Sequence, residues 1–173
     1  MSRALRYSRA YAALARVTPI PADCGRLCGA RCCGGGEEHV MLLYPGEEAR
    51  LQNRDGFVLR PEETPAGPAF SLRCSGHCRR RLRPFACRIY PLVPYIGKDG
   101  VPRAVRDPRA RYLCPLLSGR FISREFRRAA AKAVRILCRD REIRSFIRRY
   151  SAVLDEYSKF TGDVFNHGLC NRH

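Results

Sequence analysis

The sequence predicts an α+β fold, mostly α, in which irregular Cys/Gly-rich loops interrupt the regular elements. Three observations predict it. Apolar residues recur at helical spacing near both ends of the chain; short β-branched and aromatic runs, punctuated by Gly and Pro, fill its middle; and most of the ten cysteines fall into two loops. A length of 173 residues suits a single domain, 1–173, with a cysteine-cluster region at 23–117 and a C-terminal helical hairpin at 120–160.

The elements follow in order. Residues 2–17 read as an N-terminal helix, with Leu5, Tyr11 and Leu14 set against a row of arginines, ended by Pro19 and Pro21. Residues 23–38 form the first cysteine loop. The apolar run 39–44 suits a strand or a helix equally. Pro45 then fits the first turn of a helix through Glu47, Glu48 and Leu51. Residues 56–74 read as two short strands about a Pro/Gly turn, and 74–91 as the second cysteine loop. A hairpin is expected around Lys98-Asp99-Gly100. Ser123 is the expected N-cap of a helix to 138, whose Phe126, Ala130, Val134, Leu137 and Cys138 share a face. A second helix, 140–159, turns Ile143, Phe146, Ile147, Tyr150 and Leu154 inward and its arginines outward, giving an αα-hairpin.

Charge narrows the partners. The formal net charge is +17, and of the 33 basic residues only Lys98, Lys132 and Lys159 are lysines. Such a balance permits a polyanion, but arginines on helix faces read first as solvated surface, so nucleic-acid binding is expected to be at most weak and non-specific. No apolar run reaches the roughly 18 residues of a membrane span. No secretory apolar stretch follows the start, and the arginines at 3, 6, 9 and 16 read as part of an amphipathic helix. A cytoplasmic setting is therefore expected, and there clustered cysteines are metal ligands or redox groups more often than disulfides.

The stretch "CGRLCGARCCGGGEE", residues 24–38, places Cys24, Cys28, Cys32 and Cys33 among glycines. A metal holds thiolates at about 2.3 Å, so the backbone must wrap closely around a point, and glycine permits the wrapping. A loop is therefore expected here rather than a helix. Side chains of neighbouring residues diverge, by about 100° in a helix. Cys32 and Cys33 are thus expected to serve different centres, or to divide into one ligand and one thiol beside it. Cys138, on an apolar helix face, reads as a small hydrophobe. Cys170 between His167 and His173, His77, and the Glu37-Glu38-His39 run read as polar surface before they read as ligands.

The order Cys…Cys…Cys-Cys, then Cys…Cys…Arg-Pro-x-x-Cys-Arg-x-Tyr-Pro, then a further Cys, resembles the YkgJ-type CxxCxxCC family. These are described as zinc- or iron-chelating proteins and are similar to flagellin lysine-N-methylases. The matching pieces are "CGRLCGARCC" (24–33), "CSGHC" (74–78), "RPFACRIYP" (83–91) and "LCPL" (113–116), although three residues rather than two precede the Cys32-Cys33 pair. The resemblance implies metal ligation by Cys24, Cys28, Cys32, Cys33, Cys74, Cys78, Cys87 and Cys114. Arg83 and Arg88 are expected to support the cofactor from outside the ligand set, because thiolate clusters accept hydrogen bonds at sulfur.

Two metals compete. Zinc draws on paired knuckles, which Cys24/Cys28 with Cys74/Cys78 would supply. A [4Fe-4S] cluster commonly takes three cysteines from one loop and one from afar, which Cys24, Cys28 and Cys32 with a remote cysteine would supply. The cluster is favoured, with zinc as the alternative or a second site. The expected function is a metal-binding protein with a structural or redox role. A methylase-like metalloenzyme modifying proteins and a basic adaptor for an acidic or nucleic-acid partner are the alternatives. No glycine-rich nucleotide fingerprint, P-loop or HExxH motif assigns catalytic residues.

Overall fold

A computed structural model describes residues 1–33, 40–76, 80–118 and 121–161. Cys78, His77, Glu37, Glu38, His39, His167, Cys170 and His173 lie outside the described residues. The described chain is α+β, as the sequence predicts. Its elements run α1 (Arg3–Ala13), α2 (Gly25–Cys28), a 3-10 turn (Arg31–Cys33), β1 (Val40–Leu43), α3 (Glu48–Leu51), β2 (Phe57–Thr64), β3 (Gly67–Cys74), a second 3-10 turn (Arg80–Leu82), α4 (Phe85–Ile89), β4 (Leu92–Ile96), β5 (Pro102–Arg106), a third 3-10 turn (Pro108–Ala110), α5 (Pro115–Ser118), α6 (Arg124–Leu137) and α7 (Arg141–Phe160).

The first sheet is antiparallel in the order β1-β3-β2. The run 39–44, open between strand and helix in the sequence, becomes β1 because Val40 to Leu43 pair with Arg73 to Phe70 of β3. The β2–β3 hairpin pairs Thr64 with Gly67, so its turn is Pro65-Ala66. Leu43, Leu51 and Leu72 are buried together on the sheet, with Phe57 and Phe70 packed against them. The predicted second hairpin is β4–β5, pairing Leu92 with Arg106 and Ile96 with Pro102. Gly100 takes the positive φ, 71°, that its turn needs.

The αα-hairpin also forms where expected. The Ser123 hydroxyl accepts from the Phe126 amide at 3.1 Å, and the Asp140 carboxylate accepts from the Glu142 and Ile143 amides at 3.1 and 3.3 Å. The faces that the spacing predicts are the buried ones: Phe126, Ala130, Val134 and Leu137 on α6, and Ile143, Phe146, Ile147 and Leu154 on α7. α1 packs on α6, β5 packs on α6 and β4 on α7. One core cluster therefore joins α1, α4, β4 and the αα-hairpin.

Three expectations are corrected. α1 is shorter than 2–17, because after Ala13 the chain turns, with the Leu14 and Ala15 amides bonding back to the Tyr11 and Ala12 carbonyls three residues earlier. Its buried stripe is Tyr7, Ala10, Tyr11 and Leu14, and Leu5 is exposed, two residues and about 200° from Tyr7. The first cysteine segment is not purely loop: α2 forms one helical turn, stopped by Gly29 at φ 61°. The helix expected from Pro45 to Leu51 shrinks to α3, Glu48–Leu51.

Candidate metal centre

The cysteines reach one place from three distant segments. Cys24 and Cys28 flank α2, and Cys32 and Cys33 lie on the following 3-10 turn. Cys87 stands on α4, and Cys114 directly precedes α5. All six line one small cavity of about 50 Å³, together with Arg80, Arg83, Arg88 and Tyr90. Cys32, Cys33 and Cys87 also line an adjoining cavity of about 280 Å³, which Cys74 lines as well. Cys74 thus stands apart from Cys24 and Cys28, so the pair of knuckles expected for zinc does not share one cavity among the described residues. No disulfide joins the eight described cysteines to one another.

Mutual effects confirm the proximity. Burial raises the Cys24 thiol pKa, and Cys114, Cys28 and Asp23 raise it further, while the Arg83 cation opposes them. Cys114 is raised by burial and by Cys28, but the amides of Leu116 and Leu117 at the start of α5 point to its sulfur and favour the thiolate. The Cys32 thiol is hydrogen-bonded to Cys33, which together with burial holds it strongly protonated. The adjacent pair therefore stands in mutual contact on its 3-10 turn. Among the described residues, no three His, Cys, Asp or Glu side chains are already gathered into a metal-ligating group. The thiols line a void rather than a finished tetrahedron.

The donor set fits a thiophilic metal. Six thiols face a cavity rimmed by three guanidinium groups, with no carboxylate among the described lining residues. Metal charge would turn these mutually opposing thiols into thiolates, and the arginines would then offset the negative charge. The void admits a single ion as it stands. The thiols of the Cys24–Cys33 segment are half-buried, not locked in the core.

The two expected arginines differ. Arg83 lies against Cys24 and favours its thiolate. Arg88 is buried and donates through Nε to the Arg83 carbonyl at 2.9 Å and through Nη2 to the Arg81 carbonyl at 2.6 Å. It holds the second cysteine segment from within. Its guanidinium also stacks 4.3 Å over the Tyr11 ring. The Tyr11 hydroxyl donates to the Glu47 carboxylate at 2.5 Å, and the same oxygen accepts from the Phe85 amide at 2.5 Å. A buried acid thereby satisfies the first amide of α4, the helix that presents Cys87. Burial raises the Glu47 pKa, against the lowering by those donors.

Two residues that the sequence did not single out belong to the site. Arg80 donates to the Leu14 and Val17 carbonyls, with its charge beside Arg83 and Cys24. Tyr90 lines both cavities, and its buried hydroxyl meets no hydrogen-bond partner among the described residues. Arg80 sits in an unbroken arginine run that does not show which member turns inward. Tyr90 carried a faint signal as the aromatic position of the Cys-Arg-x-Tyr-Pro piece. Comparison of the chain with protein-family models, with curated proteins and with solved structures gives no match in any of the three.

Proposed function

We propose that this chain is a cytoplasmic metal-binding protein that holds an iron–sulfur cluster, zinc, or both, through clustered cysteine thiolates. The observation that carries the reading is the convergence of six cysteines from three segments on one arginine-rimmed cavity. Cys24, Cys28 and Cys32 from one loop, with Cys87 and Cys114 from afar, match the layout of a [4Fe-4S] site, which is the first choice. When bound, a cluster would supply one-electron transfer, whereas zinc would supply a cross-link only. The chain's own part is to gather the thiols, offset their charge with Arg80 and Arg83, and brace the second segment through Arg88. Metal and fold are then coupled, since binding is paid for by ordering the ligand loops.

The test is anaerobic purification from iron-replete cells, followed by metal analysis and an absorption spectrum. The expected protein is brown, with broad absorption near about 400 nm that bleaches in air. Colourless protein with stoichiometric zinc removes the cluster and leaves the zinc reading. Protein with neither metal, and no uptake on reconstitution, overturns both.

A further inference from the structure

α6 has two faces of opposite character. Its buried residues, Phe126, Ala130, Ala133, Val134 and Leu137, share one side of the helix. At about 100° per residue, Arg124, Arg128, Lys132 and Arg135 fall within about 80° of arc on the other side. All four are exposed, and exposed Arg139 follows just past the helix end. On the helix alone the stripe is about 16 Å long.

Nothing of opposite sign relieves it. Arg124 and Arg128 stand one helical turn apart, as do Arg128 and Lys132, and Lys132 and Arg135, so like charges repel along the whole stripe. Between Asp107 and Asp140 the only acid in the sequence is Glu125, at the edge of the arc. Among the described residues, no ion pair joins these cations to an acid. The outward side of α7 is built differently, with Asp155 and Glu156 set between Arg148 and Lys159. A face of one sign calls for countercharge from outside the chain.

The chemistry of the stripe selects the partner. A membrane-docking helix sets apolar side chains beside its cations to enter the lipid, and a protein interface centres on aromatic or aliphatic anchors. Within its cationic arc α6 has no apolar side chain. A line of cations without an anchor fits a line of phosphates, which such cations bind by releasing counterions.

We propose that the outward stripe of α6 docks on the phosphate backbone of a duplex nucleic acid, without reading bases. The proposal does not rest on the metal reading, because none of the cavity-lining cysteines lies on α6.

The probe is a fluorescent DNA duplex of about 20 base pairs, followed by anisotropy against full-length protein between about 50 and 200 mM salt. Plotted as log affinity against log salt, the parent should give a slope of about −4, at about −0.9 for each phosphate neutralised. Arg128→Gln/Lys132→Gln/Arg135→Gln should weaken binding about tenfold or more at the lowest salt and flatten the slope by about 2.7. It should melt no lower than the parent, because it removes like-charged neighbours. Arg60→Gln/Arg148→Gln/Lys159→Gln, which removes the same charge from exposed positions elsewhere, should keep the parent's slope. Arg128→Lys/Arg135→Lys, which keeps the charge, should keep it too. The proposal is overturned if the parent shows no salt-dependent binding, if the α6 triple variant binds as the parent does, or if the control triple variant loses as much. It is also overturned if phosphatidylserine vesicles bind the parent more tightly than the duplex at equal salt, or if two unrelated duplex sequences differ in affinity by more than about tenfold.

Discussion

Two cysteines, Cys138 buried and Cys87 half-buried, make opposite predictions. Cys138, at the end of α6, is 5% exposed in the core, and its thiol is pushed up to about 12 by burial, against the charge of Arg144. It packs as a small hydrophobe, so Cys138→Ser should keep its metal and lose about 1–2 kcal/mol for a hydroxyl buried in an apolar setting. Cys87→Ser on α4 should lose metal and melt early. Metal analysis beside a melting curve separates the two, and a Cys87→Ser protein with full metal content and stability would remove Cys87 from the ligand set. This sorting was legible, since an isolated cysteine on a helix face differs from cysteines among glycines. Glu47 was not legible: "GEE" reads as the polar start of a helix, yet Glu47 is fully buried under Tyr11. Because its folded pKa is raised above the unfolded carboxyl value, the native state holds the proton longer. Its contribution is present below the unfolded pKa and is lost as pH rises through the folded one. Glu47→Gln keeps an oxygen for Tyr11 and Phe85 and cannot ionise. Urea midpoints of the parent should therefore fall relative to Glu47→Gln as pH climbs from about 4; parallel curves would mean that Glu47 does not titrate differently on folding.

Among the elements, the helices with caps were the clearest. Ser123 and Asp140 announce α6 and α7, and the apolar spacing gives their buried faces. β1 was ambiguous because a four-residue apolar run carries no period of its own, and the partner strand β3 decides it. α2 and α4 were hidden inside segments whose glycines and cysteines read as loop. Asp140 illustrates how an element boundary becomes a junction. Besides capping α7 it accepts from Arg3 Nε at 3.2 Å and Arg6 Nη1 at 3.5 Å, tying α1 to the hairpin. Burial opposes its ionisation, but Arg3 and the Ile143 and Glu142 amides outweigh it and hold its pKa below the usual value. Its stabilisation is therefore present above the unfolded pKa and is lost as pH falls through the lowered one. Asp140→Ala should cost about 1–2 kcal/mol at neutral pH, and the gap from the parent should close in acid. Denaturant melts at pH 7 and pH 3 read both; a gap that stays constant in acid contradicts the assignment.

At the scale of the whole molecule, charge and fold are separate matters. Arg124, Arg128 and Arg135 on α6, Arg139 just after it, and Arg141, Arg144 and Arg148 on α7 are exposed, as solvated faces should be. Duplex DNA should bind weakly, without base preference, and with affinity falling steeply with salt. Tight, sequence-selective binding at physiological salt would move the adaptor reading ahead. How the cysteines divide between the two cavities was beyond the sequence, because it is a property of the packed chain. That packing sets an order in time. Tyr7, Ala10 and Leu14 of α1 are fully buried in the core that holds Phe126 and Ala130 of α6, which a ribosome makes more than a hundred residues later. At about 5–20 residues per second the delay is roughly 6–20 s. Throughout it the first cysteine segment follows a helix that lacks its α6 partner. Chains arrested at residue 120 should therefore be alkylated at Cys24 and Cys28 as fast as unfolded protein, and finished chains more slowly; protection already present in the arrested chain would refute this. Newly made thiols thus face oxidants before the helical hairpin can enclose them.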